Sequence, residues 1–297
     1  MDASPSSQTR PASPALIGAL ADRVPPLGYF MVSAVFHYLG PSFAVLLFAR
    51  IEVLGVAWLR IATAALVFGL SRRAWRFWFA ATRAQRLTVL ALGVVLAAMN
   101  GFFYLAIDRL PLGTVCAIEF IGPIALAVIG LRTARNLLAL ALAVAGVAIL
   151  TDIRLAGEPL GYLFAFANAA LFLLYILLGH RIAASGGAAG IGRLGAAMGV
   201  ALVAITPFGM GAAWPAFGDP ILLLAGAGVG IASSVVPYIC DQLAMARLTR
   251  AHFALLLSVL PAMASLIGLV VLRQVPSLAE LLGIGLVVAG VALRRET

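Results

Sequence analysis

Apolar residues in this chain gather into long runs, each closed by a short stretch of Arg, Pro, Gly or acidic residues. Several runs reach the roughly 20 residues a helix needs to cross a hydrocarbon core of about 30 Å. Reading from boundary to boundary gives ten. The first five are about 27–48, 53–70, 87–107, 111–131 and 135–151; the second five are about 159–179, 190–210, 220–245, 250–272 and 276–293. The pattern predicts an all-α integral membrane protein with ten transmembrane helices. A merger or split in the Gly-rich seventh and eighth runs is the alternative to that count.

The halves resemble each other. At an offset of 138 positions Leu105-Ala106 meets Leu243-Ala244, Arg109-Leu110 meets Arg247-Leu248, Pro123 meets Pro261, and Ile129-Gly130 meets Ile267-Gly268. After a six-residue slip, Ala145-Gly146-Val147-Ala148 matches Ala289-Gly290-Val291-Ala292. Pro and Arg recur in register, which chance matching of Ala/Leu/Gly helices does not require. Five spans is an odd number, so the second copy enters the membrane from the opposite side, as in the inverted repeats of many transporters. The expected organisation is a disordered cytoplasmic tail over 1–26, a first repeat over 27–151 and a second over 159–294.

Charge then fixes an expected orientation. All 20 basic residues are Arg. With the N-terminus inside, fifteen fall in cytoplasmic segments and four in outer loops, at Arg50, Arg109, Arg154 and Arg273, with Arg60 left inside a span. The positive-inside rule therefore places both termini in the cytoplasm. The overall composition agrees, being 63% hydrophobic and 10% charged, too little charge to cover a soluble domain of this length. The net charge of +9 is scattered between runs, which argues against nucleic acid as a partner. The basic-aromatic stretch at 72–79 suits an interfacial anchor instead. Ala15–Leu20 is too short for a signal-peptide core.

An ionisable group at a span centre costs some 2.5–3.5 kcal/mol on insertion scales and marks a candidate site. Glu119 and Arg60 each lie about eight residues into a run from its outer end, roughly 12 Å deep at the helical rise. They either pair with each other or jointly hold the ammonium and carboxylate of a zwitterion. Asn100, His37 and Asn168 fall near the same depth, and Tyr38, Tyr104 and Tyr238 are candidates to line the cavity. His37 has the chemistry for proton coupling, with a helix–helix hydrogen bond as the plainer expectation. A proline lacks the N–H that bonds the carbonyl four residues back. Pro41 thus frees the carbonyl of His37, Pro123 that of Glu119, Pro237 that of Ser233 and Pro261 that of Leu257. Asp241 reads as a gate or a solvated helix end, and Asp108 and Arg109 as solvated.

Other signals fail their context. Gly190–Gly195 matches a dinucleotide fingerprint, but no strand precedes it, so close packing is expected there, as at Gly195/Gly199 and Gly226/Gly230. Cys116 and Cys240 sit in apolar runs and make no metal motif, and neither a GxSxG elbow nor HExxH is present. Neither catalytic residues, a metal nor a cofactor is expected. Substrate, lipid bilayer and protons are the expected partners, with monomer and homodimer both open.

One block is distinctive. Ala98-Met99-Asn100-Gly101-Phe102-Phe103-Tyr104-Leu105-Ala106-Ile107-Asp108-Arg109-Leu110-Pro111-Leu112-Gly113, continuing through Ala117-Ile118-Glu119-Phe120-Ile121-Gly122-Pro123, resembles the drug/metabolite transporter superfamily of EamA type, and within it the bacterial inner-membrane threonine/homoserine exporters. Trp58-Leu59-Arg60-Ile61-Ala62, Ser234-Val235-Val236-Pro237-Tyr238 and Arg247-Leu248-Thr249 are similar to other family segments. The resemblance implies ten helices, two EamA repeats and export of amino acids driven by the proton gradient, with Glu119 and Arg60 at membrane-embedded polar positions. The chain departs from the pattern at Leu260-Pro261, Arg273-Gln274 and His37-Tyr38, which keeps export of aromatic or drug-like compounds open. A channel-like facilitator is the alternative from another class.

Overall fold

The computed structural model describes residues 24–70, 72–122, 124, 133–152, 158–183, 187–248 and 260–293. The tail through residue 23, Pro123, His252, and the 125–131 and 250–259 parts of the fourth and ninth runs lie outside them.

The described residues are helical, with no strand among them. The helices are α1 (Pro26–Leu47), α2 (Val53–Gly69), α3 (Arg72–Ala80), α4 (Arg83–Ile107), α5 (Leu112–Glu119), α6 (Ala134–Asp152), α7 (Pro159–Ala183), α8 (Gly187–Phe217) and α9 (Pro220–Gly230). A π-helical turn (Ile231–Val235) then runs into α10 (Val236–Met245), followed by α11 (Leu260–Leu272) and α12 (Leu278–Leu293). Each of the ten apolar runs carries helix, and the seventh and eighth remain separate. The Gly190–Gly195 segment is continuous helix, so no strand–turn–helix phosphate cradle exists there.

Helix starts follow the local chemistry. Thr82 and Gln85 form a reciprocal capping box at α4, and Ser277 and Glu280 do the same at α12. Asp219 accepts from the N–H groups of Ile221 and Leu222, with Pro220 opening α9. Both α1 and α7 open on Pro-Leu-Gly-Tyr, at 26–29 and 159–162. That match is offset by 133 positions, so a comparison at 138 misses it.

Five helices are long and apolar enough to cross a membrane, counting α9 through α10 as one, and α2 with α3 makes a sixth if that bent pair is one span. The Ala74–Ala80 part of α3 turns by 74° from α2 and leaves Trp75 and Phe79 exposed, the geometry of an interfacial helix. Large apolar side chains such as Leu66, Val203, Phe208, Ile221 and Leu224 cover the outside, which water would not tolerate and lipid favours.

Without a hydrophobic force between helices in lipid, association depends on close approach. A Cβ built on Gly146 falls 2.5 Å from the Gly283 carbonyl oxygen, so α6 and α12 touch backbone to backbone. Gly55 meets Ala212 in the same way where α2 crosses α8. Gly226 and Gly230 pack closely on α2, whereas Gly199 faces open space, contrary to the expectation for its pair with Gly195. The main contacts join α6 to α12, α2 to α8, α5 to α11, α4 to α7 and α8, and α1 and α2 to the run from α9 through α10.

Candidate functional site

Gly230 begins the site. A Cβ there would fall 2.9 Å from the Arg60 carbonyl oxygen, so glycine lets the end of α9 rest on α2. The π turn follows immediately, and Pro237 leaves the Ser233 carbonyl without its helical donor. Arg60 supplies one: Nη2 donates to Ser233 O at 2.8 Å, and Nε to Ser234 Oγ at 2.7 Å. The guanidinium also lies 5.3 Å from the centre of the Tyr104 ring. Two of its five N–H groups are thereby used, and every contact is to a neutral group.

Glu119 closes α5. Asn168 of α7 donates through Nδ2 to Oε1 at 2.5 Å, and the Cys116 thiol donates to Oε2 at 3.6 Å. Its partners too are neutral. The ion pairs present among the described residues, Arg50–Asp219 and Arg109–Asp108, do not involve Glu119 or Arg60. Of the two alternatives for Arg60 and Glu119, direct pairing is not made among the described residues, where each is bound to neutral partners.

An aromatic group fills the space around these two centres. Asn100 donates to Leu96 O at 2.7 Å and to Tyr238 Oη at 3.5 Å. His37 sits edge-on to Tyr38 and Tyr238, with centroids 5.4 and 6.4 Å away, and Tyr175 lies 5.7 Å from Tyr238. Among the described residues His37 makes ring contacts, and the expected helix–helix hydrogen bond is not found there. The Tyr104 and Tyr175 hydroxyls, Asn168 Oδ1 and Ser233 Oγ are buried without a hydrogen-bond partner among the described residues. Each such group costs about 1–3 kcal/mol unless water or a ligand satisfies it.

All eight expected lining residues lie in this interior, and they come together in small groups: Arg60 with Tyr104, Glu119 with Asn168, and Asn100 with Tyr238, His37 and Tyr38. Pro41 lies within α1, where Ser42 donates to the Tyr38 carbonyl at 2.9 Å. Pro261 is the second described residue of α11, and Ser265 donates to its carbonyl. The sequence named Ser233 for its freed carbonyl, Ser234 within a family-like segment and Cys116 as a buried thiol, but placed none of them at the site, and it did not single out Tyr175. Asp241 is buried, 7% exposed, not a solvated helix end. Asp108 and Arg109 pair with each other and are about one-third exposed, with Arg109 over the Phe164 ring.

At the end of the bundle bearing the 108–111 and 273–276 loops, a cavity of about 290 Å³ is lined by Asp108, Arg109, Thr114, Ser265, Gln274 and Glu280 among others. It is lined by polar and apolar groups alike and is large enough for an amino acid. No group of His, Cys, Asp and Glu among the described residues could hold a metal ion.

A lipid-facing helical bundle with charges of both signs held in its interior is a membrane transport protein. No family model matches the chain. The "Threonine/homoserine exporter RhtA" of Escherichia coli (strain K12) is 33% identical over 258 residues, covering 84% of each chain. The protein of that name from Salmonella typhimurium (strain LT2) is 31% identical over 270 residues, 86% of this chain and 88% of its own. One solved crystal structure aligns over 91% of this chain and 97% of its own with a TM-score of 0.56 at 18% identity, a likeness of fold alone. The chain belongs to the threonine/homoserine exporter family, of the EamA-type drug/metabolite transporters.

Proposed function

We propose that this protein exports threonine, homoserine or similar small amino acids across a bacterial inner membrane by alternating access coupled to proton entry. Ten helices cross the membrane in two inverted halves, with both termini cytoplasmic. The observation that carries the reading is that Arg60 and Glu119 are buried, opposite in sign, and bound to neutral groups only. A buried charge lacking a counter-ion carries a penalty of several kcal/mol. A zwitterion relieves both at once, its carboxylate at the free N–H groups of Arg60 and its ammonium at Glu119.

Two features of the packing support the topology. Exchanging each span for the one five places on maps α2–α8, α5–α11 and α6–α12 onto themselves. It also exchanges α4–α7 with the pairing of α1 on the α9–α10 run. That is the contact pattern of a two-fold pseudo-repeat. Long-range loop contacts also join segments that the arginine count assigns to one side: Arg50 with Asp219 and Gln274 with Leu112 outside, Arg247 with Val24 and Arg135 with Leu293 inside.

The test is growth of a sensitive bacterial host on inhibitory threonine or homoserine, comparing the intact protein with Glu119→Gln and Arg60→Ala at matched expression. Protection lost in both variants supports the reading, and protection kept in both removes the site assignment. The aromatic surroundings, Tyr38, Tyr104, Tyr175 and Tyr238, favour a second reading in which aromatic compounds are the cargo. Protection against aromatic amino acids but not threonine selects it. Saturable flux with trans-stimulation separates either carrier from a channel.

A further inference from the structure

A second buried carboxylate lies apart from the Arg60 and Glu119 centres. Asp241, on α10, accepts a hydrogen bond at Oδ1 from Ser33 of α1, 2.5 Å away, while Ser33 also lies 3.3 Å from the Pro237 carbonyl. Its other oxygen has no hydrogen bond among the described residues. Asp241 borders a small cavity closed by Phe30, Ser33, His37, Phe172, Tyr175 and Leu260 among others. That cavity measures about 20 Å³, and holding one water takes roughly 10–15 Å³. An amino acid does not fit, but a water or hydronium does. The titratable groups facing Asp241 are His37 and Tyr38 of α1, Tyr175 of α7, and Tyr238 and Cys240 of its own helix. The α11 residue at the cavity, Leu260, is apolar. No cation forms an ion pair with Asp241 among the described residues, unlike Asp219 and Asp108.

Resting on the export reading, we propose that Asp241 carries the coupling proton, separately from the groups that hold the substrate. In the outward-facing state the carboxylate takes one proton from hydronium and becomes neutral. In the inward-facing state it returns that proton to a water on the cytoplasmic side and is again an anion hydrogen-bonded to Ser33. The Tyr175 hydroxyl and the single-water cavity provide the relay. The substrate ammonium stays with Glu119, whose oxygens both already accept hydrogen bonds.

The experiment uses full-length protein in proteoliposomes with labelled threonine as the probe. It compares exchange at equal pH on both sides with net flux driven by a pH gradient, for the intact protein, Asp241→Asn, Asp241→Glu and Ser33→Ala. For Asp241→Asn, exchange is expected to persist while gradient-driven flux falls about tenfold or more, the scale of an ordinary coupling loss. Asp241→Glu restores part of the driven flux, and Ser33→Ala, which keeps the carboxylate, shifts its pH dependence. Gradient-driven flux that survives Asp241→Asn overturns the proposal, as does loss of both modes in parallel in all three folded variants. Exchange that survives Glu119→Gln removes the substrate site without touching Asp241. Absence of threonine exchange by the intact protein removes both.

Discussion

Asn100 and Tyr238 touch across the interior, Nδ2 to Oη at 3.5 Å, and they stand 138 positions apart. That interval is the register at which the two halves match. In the repeat proposed above, a contact between equivalent positions lies on the axis relating the halves, and this pair is where α4 and α10 meet.

A double-mutant cycle with Asn100→Leu and Tyr238→Phe, read by unfolding in mixed micelles, is expected to give a coupling of about 0.6 kcal/mol, the average for hydrogen bonds between membrane helices. A value near zero shows that the two are neighbours without being partners.

Arg60 is the donor that replaces the N–H missing at Pro237. Arg60→Lys keeps the charge but not the planar fork, so it is expected to retain one of the two contacts. Arg60→Ala leaves Ser233 O unpaired and is expected to lower stability by about 1–3 kcal/mol. Thermal denaturation in detergent checks the order: intact, then Lys, then Ala. Equal melting points for Lys and Ala count against a role for the fork geometry.

Gly146→Ala places a methyl 2.5 Å from the Gly283 carbonyl oxygen, where only movement of backbone relieves the clash. A drop in folded yield and melting temperature is expected. Gly285→Ala, two residues on from Gly283 and so on the other face of α12, meets nothing within 4 Å and is expected to behave as the intact protein. Indistinguishable yields for the two variants contradict the packing described.

Single cysteines at Arg50 and Asp219 are expected to react with an impermeant maleimide on intact cells, and one at Ala246 only after permeabilisation. The two native cysteines, Cys116 and Cys240, are buried and give little background. Labelling of all three from one side breaks the inverted topology.

The helices were legible because each of the ten apolar runs punctuated by arginine carries helix, five or six of them long and apolar enough to cross a membrane. The burial of Glu119 and Arg60 was legible for the same reason, since a charge within such a run is conspicuous. Their partners were not. Whether Arg60 meets Glu119 or the turn before Pro237 depends on the rotation of α2 about its axis, and Gly226 and Gly230 set that rotation through the contacts they permit. Tyr175 looks like any lone tyrosine in an apolar helix until Tyr238 is found beside it. Of the two readings of Asp241, the solvated helix end fails because four residues from a loop is shallow along the helix, yet α1 and α7 cover it.

The glycine seam between α6 and α12 bears on how turnover can be observed. Among the described residues these two helices touch each other extensively and the remaining helices sparingly. They therefore form a buttress beside the rest of the bundle. The alternating-access cycle proposed above repacks the interfaces around Arg60, Glu119 and Asn100 and leaves a seam locked by backbone contact undisturbed. A fluorophore on α12 would serve as the stationary reference against which movement of α1 or α10 is measured.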